Sequence, residues 1–346
     1  MLKVNLKIYR KGSSVKGITI SYNNHNWVTG VNAVIDENGT EVIRKVRTYE
    51  FHNDGKIKEI RDYKNFLVEE ESYILRSYEY DALDRVTLMY YTDSSSLDTV
   101  YERHAYTYDK NSNIISETDY MSDAALDRTR VHTYDSLNRL TSTVETDNAT
   151  GNVSETFYEY DKVGNRTKVV EADKTTLYIY NELNQVIRAD ISGSVTGYKT
   201  YQYDGRGNQV SEYDSITDRY ILNEYDISNC LTRTREVKEA VIISEQTNVY
   251  DGEGKRISKT ENGVTTYYYY EGEMLLYTTD EADSRTSLNI TGTESNVIAG
   301  VRYDDGESVY FYGKDIKGST SCITDANGKR LEEILGEIKI TLRCFD

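Results

Sequence analysis

FYEYDKVGNRTKVV, running from Phe157 to Val170, reads as one complete β-hairpin. Tyr158 and Tyr160 stand two apart, so in a strand both rings project from one face. Asp161 is placed to fold its carboxylate back onto the backbone and start a turn. Gly164 then supplies a residue at ease with positive φ. Arg166 to Val170, ending in two branched valines, reads as the return strand.

The same layout recurs along the chain. Upstream lie Tyr134-Asp135, Tyr108-Asp109 and Tyr80-Asp81, then a weaker copy at Phe51 and Gly55 and a fainter one at Ile35 and Gly39. Downstream come Tyr180-Asn181, Tyr203-Asp204 with Gly207, Tyr225-Asp226, Tyr250-Asp251 with Gly254, and Tyr270-Glu271. From Tyr80 to Tyr270 the spacings are 28, 26, 26, 20, 23, 22, 25 and 20. A constant motif at variable spacing predicts hairpins alike at one end, with far-end loops of different length. The fourth residue after the tyrosine is Gly, Asn or Asp in nearly every copy. Those residues tolerate the left-handed conformation that a four-to-five-residue hairpin loop requires. About ten hairpins give roughly twenty strands, beyond the ~10 at which an open twisted sheet curls or splits. The expected fold is therefore all-β: tandem antiparallel hairpins in a curved or coiled sheet. A β-propeller, with blades of roughly 40–50 residues, fits the spacing less well.

Composition agrees with a sheet. The chain has 33 Tyr against 5 Phe, 4 Met and 1 Trp, and no Pro. Tyrosine is thus the main bulky side chain, favouring strands with one ring edge dry and the hydroxyl near water or a partner. A net charge of -17 argues against nucleic acid as a primary partner, because phosphate binding needs a basic stripe. Mean hydropathy is -0.67, but the acids are interleaved with Tyr, Thr and Val, which points away from disorder. Cys230, Cys322 and Cys344 lie too far apart for a disulfide framework or a CxxC pair. No run approaches the ~20 apolar residues of a membrane span. The opening MLKVNLKIYRKGSSVKG lacks the apolar stretch of a secretory signal.

No residue pattern composes a reaction centre. His25, His52, His104 and His132 show no HExxH spacing. DENGTE (Asp36 to Glu41) and DANGKRLEE (Asp325 to Glu333) lack the ligand order of a calcium loop. The glycine pairs of DGRGN and DGEGK lack the strand–GxGxxG–helix setting of a nucleotide site. Asp315 and Asp325 each precede a glycine in a turn context, and no nucleophile, base and oxyanion donors assemble. The expectation is no catalytic, cofactor or metal residue, with the tyrosines packing the sheet and sugar stacking as the alternative use of their rings.

These repeats resemble the YD repeats of Rhs (rearrangement hot spot) and wall-associated proteins of bacteria, found also in animal teneurins. The resemblance runs from about Phe51 to about Arg330. Gly252 to Leu276 looks like the last repeats before an Rhs-associated core. YFYGKDIKGSTSCITDANGKRLEEI, Tyr310 to Ile334, looks like the start of that core, carried by Tyr312, Asp315, Gly318, Ser319, Thr324, Asp325 and Gly328. It implies three segments: a weakly repeating β-rich stretch at 1–48, a YD-repeat region at 49–309 and a truncated core at 310–346. It also implies a hollow β-shell enclosing a toxin for contact-dependent competition, with a secreted or cell-surface location. The family alternative is a carbohydrate-binding surface module. Implied partners are the rest of the shell or a toxin cargo, with carbohydrate as a further class. EILGEIKITLRCFD stands where the core ordinarily continues through a tyrosine-Asp-x-x-phenylalanine/tyrosine-Gly segment. With no Pro, and Trp27 the only Trp, the self-cleavage motif is absent. The expectation is a non-enzymatic partial shell without a toxin domain.

Overall fold

The structure, a computed structural model, describes residues 4–7 and 15–327, apart from 70, 122–123, 293–295, 304–305, 315 and 317–319. Asp315, Gly318, Ser319 and Gly328 therefore lie outside the described residues, as does Cys344. The described residues form 27 strands and one short 3-10 turn, Ala124–Leu126, with no α-helix. None of their helices is long or apolar enough to cross a membrane. Within each unit the described strand pairs are antiparallel and join sequence neighbours, so the fold is built of successive hairpins. Far-end connections range from two residues, as between Glu261 and Val264, through five, between Asp147 and Val153, to nine, between Tyr63 and Tyr73.

The chain divides into two compact units. The first contains residues 1–105, 120–122 and 269–346, and the second contains 106–119 and 123–268. In the first unit, strands Val15–Tyr22, Val28–Glu37 and Thr40–Phe51 contribute Val15, Val31, Ile35 and Val46 to a hydrophobic core. Leu288 and Ile290 of Arg285–Thr291, Ala299 and Val301 of Val297–Arg302, and Phe311 of Ser308–Lys314 complete it. Leu288, Ile290 and Val301 are fully buried. Alternation along each strand sends every second apolar residue inward.

The second unit has no comparable core. Its buried apolar side chains, among the described residues, reduce to Tyr106, Val169 and Ala189. Register places Tyr158 beside Val169 on one face, and Phe157 beside Val170 on the other. The second face carries Val131, Phe157 and Leu177, each between 45% and 47% exposed. Lys199 and Glu212 pair on the tyrosine face at 2.8 Å, one of several ion pairs there.

Two stretches that read as motif copies are other turns. Asn38 and Gly39, at φ 54° and 84°, make a two-residue turn of the type that matches strand twist. Strand Val264–Glu271 runs straight through Tyr270 and turns at Gly272. Conversely, two unread stretches close like the motif: Tyr22 to Trp27, with Asn26 at φ 62°, and Thr279 to Ser284, with Asp283 at φ 61°.

Shortening Leu288 to alanine opens a cavity in the core of the first unit, which costs about 2–5 kcal/mol. The expected outcome is a lower denaturant midpoint for unfolding of the first unit, read by its amide exchange.

Candidate functional site

The recurring loop is the most elaborated local structure. In the hairpin of Val153–Tyr160 and Arg166–Glu171, the Asp161 N–H donates to the Asn165 carbonyl at 2.9 Å. The Gly164 N–H donates back to the Asp161 carbonyl at 3.3 Å. Five residues lie between the strands, but this closing pair leaves only Lys162, Val163 and Gly164 in the innermost turn. It is a turn followed by a left-handed residue. Gly164 has φ 102°, Gly207 91° and Gly254 83°. Asp84, Asn138, Asn184 and Asn229 take φ 60–62° at the same place. Short polar side chains reach that region at modest cost, which is why Gly, Asn and Asp alternate there.

The turn acid locks the loop. Asp161 Oδ1 accepts the N–H groups of Val163 at 3.0 Å and Asn165 at 2.8 Å, and its Oδ2 accepts Asn165 Nδ2 at 2.9 Å. Asp204 repeats this with Arg206 and Asn208, and Asp109 with Asn111 and Asn113. In Asp81 and Asp135 an arginine, Arg85 or Arg139, replaces the asparagine on Oδ2 at 2.7 Å. Asp226 and Asp251 accept the same two backbone donors. Hydrogen bonds from Arg85 hold the Asp81 carboxyl below its usual range, and those from Asn208 do the same for Asp204.

The second tyrosine of the motif bridges hairpins. Tyr160 Oη donates to the Leu140 carbonyl at 2.8 Å, the first residue of the preceding return strand. Tyr80 reaches Ile57, Tyr134 reaches Ile114, Tyr180 reaches Arg166 and Tyr203 reaches Val186, at 2.7–2.9 Å. Tyr225 and Tyr250 make the same bond to Gln209 and Leu231. The ladder between neighbouring hairpins begins only farther in, at Ser142 opposite Phe157. The phenol therefore satisfies a carbonyl that the ladder leaves behind. Burial pushes the Tyr80 phenol up to about 12, so it remains a donor across the physiological range.

Neighbouring loops also touch through side chains. The loop's last residue reaches the left-handed residue of the following loop: Asn113 Nδ2 to Asn138 Oδ1, Asn165 to Asn184 and Asn208 to Asn229, each at 2.9 Å. Lys56 Nζ reaches Asp84 at 2.6 Å. Arg139 instead donates to the Asp161 carbonyl at 3.0 Å. Sequence reasoning identified the tyrosines and acids but missed this edge-to-edge contact, whose signal is a polar residue directly after the left-handed position.

Elsewhere, Asp62 of the first unit lies buried between Arg47 and Arg76, its Oδ2 accepting Arg76 Nη2 at 2.7 Å. Burial pushes its carboxyl up, and the two guanidinium charges outweigh that and hold it below its usual range. Asp62, Arg76, Glu102 and Thr324 line a small cavity there. Burial pushes the Tyr312 phenol up, and Asp325 Oδ1 accepts the Asn327 N–H at 2.8 Å. Tyr213 and Tyr220 lie side by side with ring centroids 4.5 Å apart and their planes tilted by 30°. No group of three or more His, Cys, Asp or Glu is gathered as for a metal ion among the described residues. With Oδ1 of each of these turn acids accepting backbone N–H groups of its own loop, this edge holds structure and contacts neighbours.

No family model matches the chain. It is 31% identical over 160 residues to the tRNA3(Ser)-specific nuclease WapA of Bacillus spizizenii, covering 46% of this chain and 6% of that protein. It is 30% identical over 158 residues to the tRNA nuclease WapA of Bacillus subtilis, covering 45% and 6%. The chain thus matches only about 6% of the length of these relatives. Among solved structures, TcdB2–TccC3 aligns over 95% of this chain and 21% of its own, at 13% identity and TM-score 0.48. The TcdB2–TccC3–Cdc42 complex aligns over 91% and 20%, at 14% identity and TM-score 0.46.

Removing one bridge with Tyr160→Phe is expected to cost about 1 kcal/mol, measured by denaturant unfolding. Acid acts on the turn acids. The folded-state values of Asp81, Asp135, Asp161, Asp204 and Asp251 lie below the ~3.9 of free Asp, so their stabilisation is complete above that pH and is lost as pH falls through the lower folded values. Carboxyl NMR titrations of Asp81 and Asp204 should therefore show midpoints below the ordinary range, with loop protection failing together with them.

Proposed function

We propose that this chain is a structural, non-enzymatic segment of an Rhs-type shell, working in contact-dependent competition at or beyond the cell surface. The observation that carries the reading is the second unit. Seven successive hairpins share one loop design, yet the described residues build no hydrophobic core and leave both faces partly open. A catalytic domain needs a packed scaffold to hold reacting groups in place. A wall needs width, regular edges and two usable faces. The sequence likeness to WapA proteins, each matched over a small part of its length, supports the same reading. The toxin, the rest of the shell and the nuclease activity named for those relatives would belong to other segments or other chains.

The test uses cysteines placed one at a time at Phe157 and Tyr201, on opposite faces, with the native cysteines replaced by serine. In cells producing the protein, a polymer-linked maleimide should label one position and reach the other only after denaturation. Equal labelling of both positions would remove the shell reading. Cleavage of tRNA by the purified chain would overturn its non-enzymatic part.

A further inference from the structure

The hairpins of the second unit share turn geometry, register and tyrosine bridge, so the backbone does not distinguish one neighbour from another. What differs is the side-chain pair where consecutive loops meet. When the left-handed residue of the following loop is Asn or Asp, the incoming residue is a donor of matching length, as in Asn165 to Asn184 at 2.9 Å and Lys56 to Asp84 at 2.6 Å. When that residue is glycine, the incoming side chain crowds the space a Cβ would take at Gly55 and Gly207, whereas at Gly254 Cys230 Sγ stays 3.9 Å away and at Gly164 nothing lies within 4 Å. Trp27 comes within 2.9 Å of that point at Gly55, and Gln185 within 3.3 Å at Gly207.

We infer that this pair is a neighbour-selecting contact: the last residue of one loop recognises the left-handed residue of the next, and so specifies which hairpin follows which. The partner this surface fits is another hairpin of the same motif with the complementary residue. A mismatch either leaves a donor without its acceptor or drives a long side chain against an occupied position. Specificity therefore comes from a penalty on wrong neighbours as well as from a bond to the right one. In a sheet of near-identical strands such a device matters, because pairing is otherwise weakly specified. The inference does not depend on what the sheet encloses.

The full-length chain tests it through amide exchange. Asn184→Gly removes the acceptor without strain, since φ there is 60° and other loops carry glycine at this place. It should speed exchange of the Val163 and Asn165 amides, in the preceding loop, by about 3-fold or more. The Leu183 and Gln185 amides of its own loop should keep their protection. Adding Asn165→Gln recreates the Gln185–Gly207 type of pair and should restore the preceding loop, whereas Asn165→Gln alone should not. An unchanged preceding loop in Asn184→Gly would overturn the inference. So would a double variant no better protected than the singles.

Discussion

One carboxylate oxygen accepting two backbone N–H groups is the contact on which this architecture rests. It fixes a turn whose last residue is left-handed, and that residue brings the return strand back with an extra residue opposite the tyrosine. The register shift between Glu159 and Tyr160 is one instance, and those at Tyr134, Tyr180 and Tyr203 are others. The tyrosine is thereby placed with its hydroxyl over the gap to the preceding hairpin. Turn, bulge and bridge thus form one unit: the turn acid creates the geometry that the phenol then uses.

The two units solve the problem of sheet stability differently. The first buries apolar side chains from both ends of the chain against each other, the ordinary source of folding free energy. The second relies on strand ladders, loop clamps, phenol bridges and cross-strand pairs, each worth on the order of 1 kcal/mol or less. Isolated hairpins are marginal, but many in series share every ladder and every bridge with a neighbour. Such a sheet remains open to contact on both faces, as the proposed wall requires. It also explains why tyrosine dominates: its ring covers sheet area while its hydroxyl performs the bridging that phenylalanine cannot.

Much of the repeat was legible because turn chemistry is local. Tyr160, Asp161 and Gly164 meet within five residues, and nothing distant is needed to read them. The all-β antiparallel fold followed from the same motif. Misreadings arose where one local signal serves two turns. Gly39 and Gly272 follow acidic residues much as Gly164 does, but they sit in tighter turns. Tyr22 to Trp27 escaped notice, although Asn23 Oδ1 accepts the N–H groups of His25 and Trp27 in the same way as Asn181 does in its own loop. Thr279 escaped because a fully buried threonine occupies the tyrosine slot. Contacts between residues near 15–51 and 285–311 join distant parts of the chain, so no local pattern announces the core they form. The loop-to-loop pairs were hidden for a similar reason: each partner lies a whole repeat away.

The most direct measurement is residue-resolved amide exchange on the intact chain at neutral pH. The account predicts slow exchange in the paired strands of Tyr106 to Tyr268, together with protected amides at the two donors of each turn acid, such as Val163 and Asn165. Protection confined to the first unit, with fast exchange throughout the second, would contradict a sheet held by clamps and bridges without a core of its own.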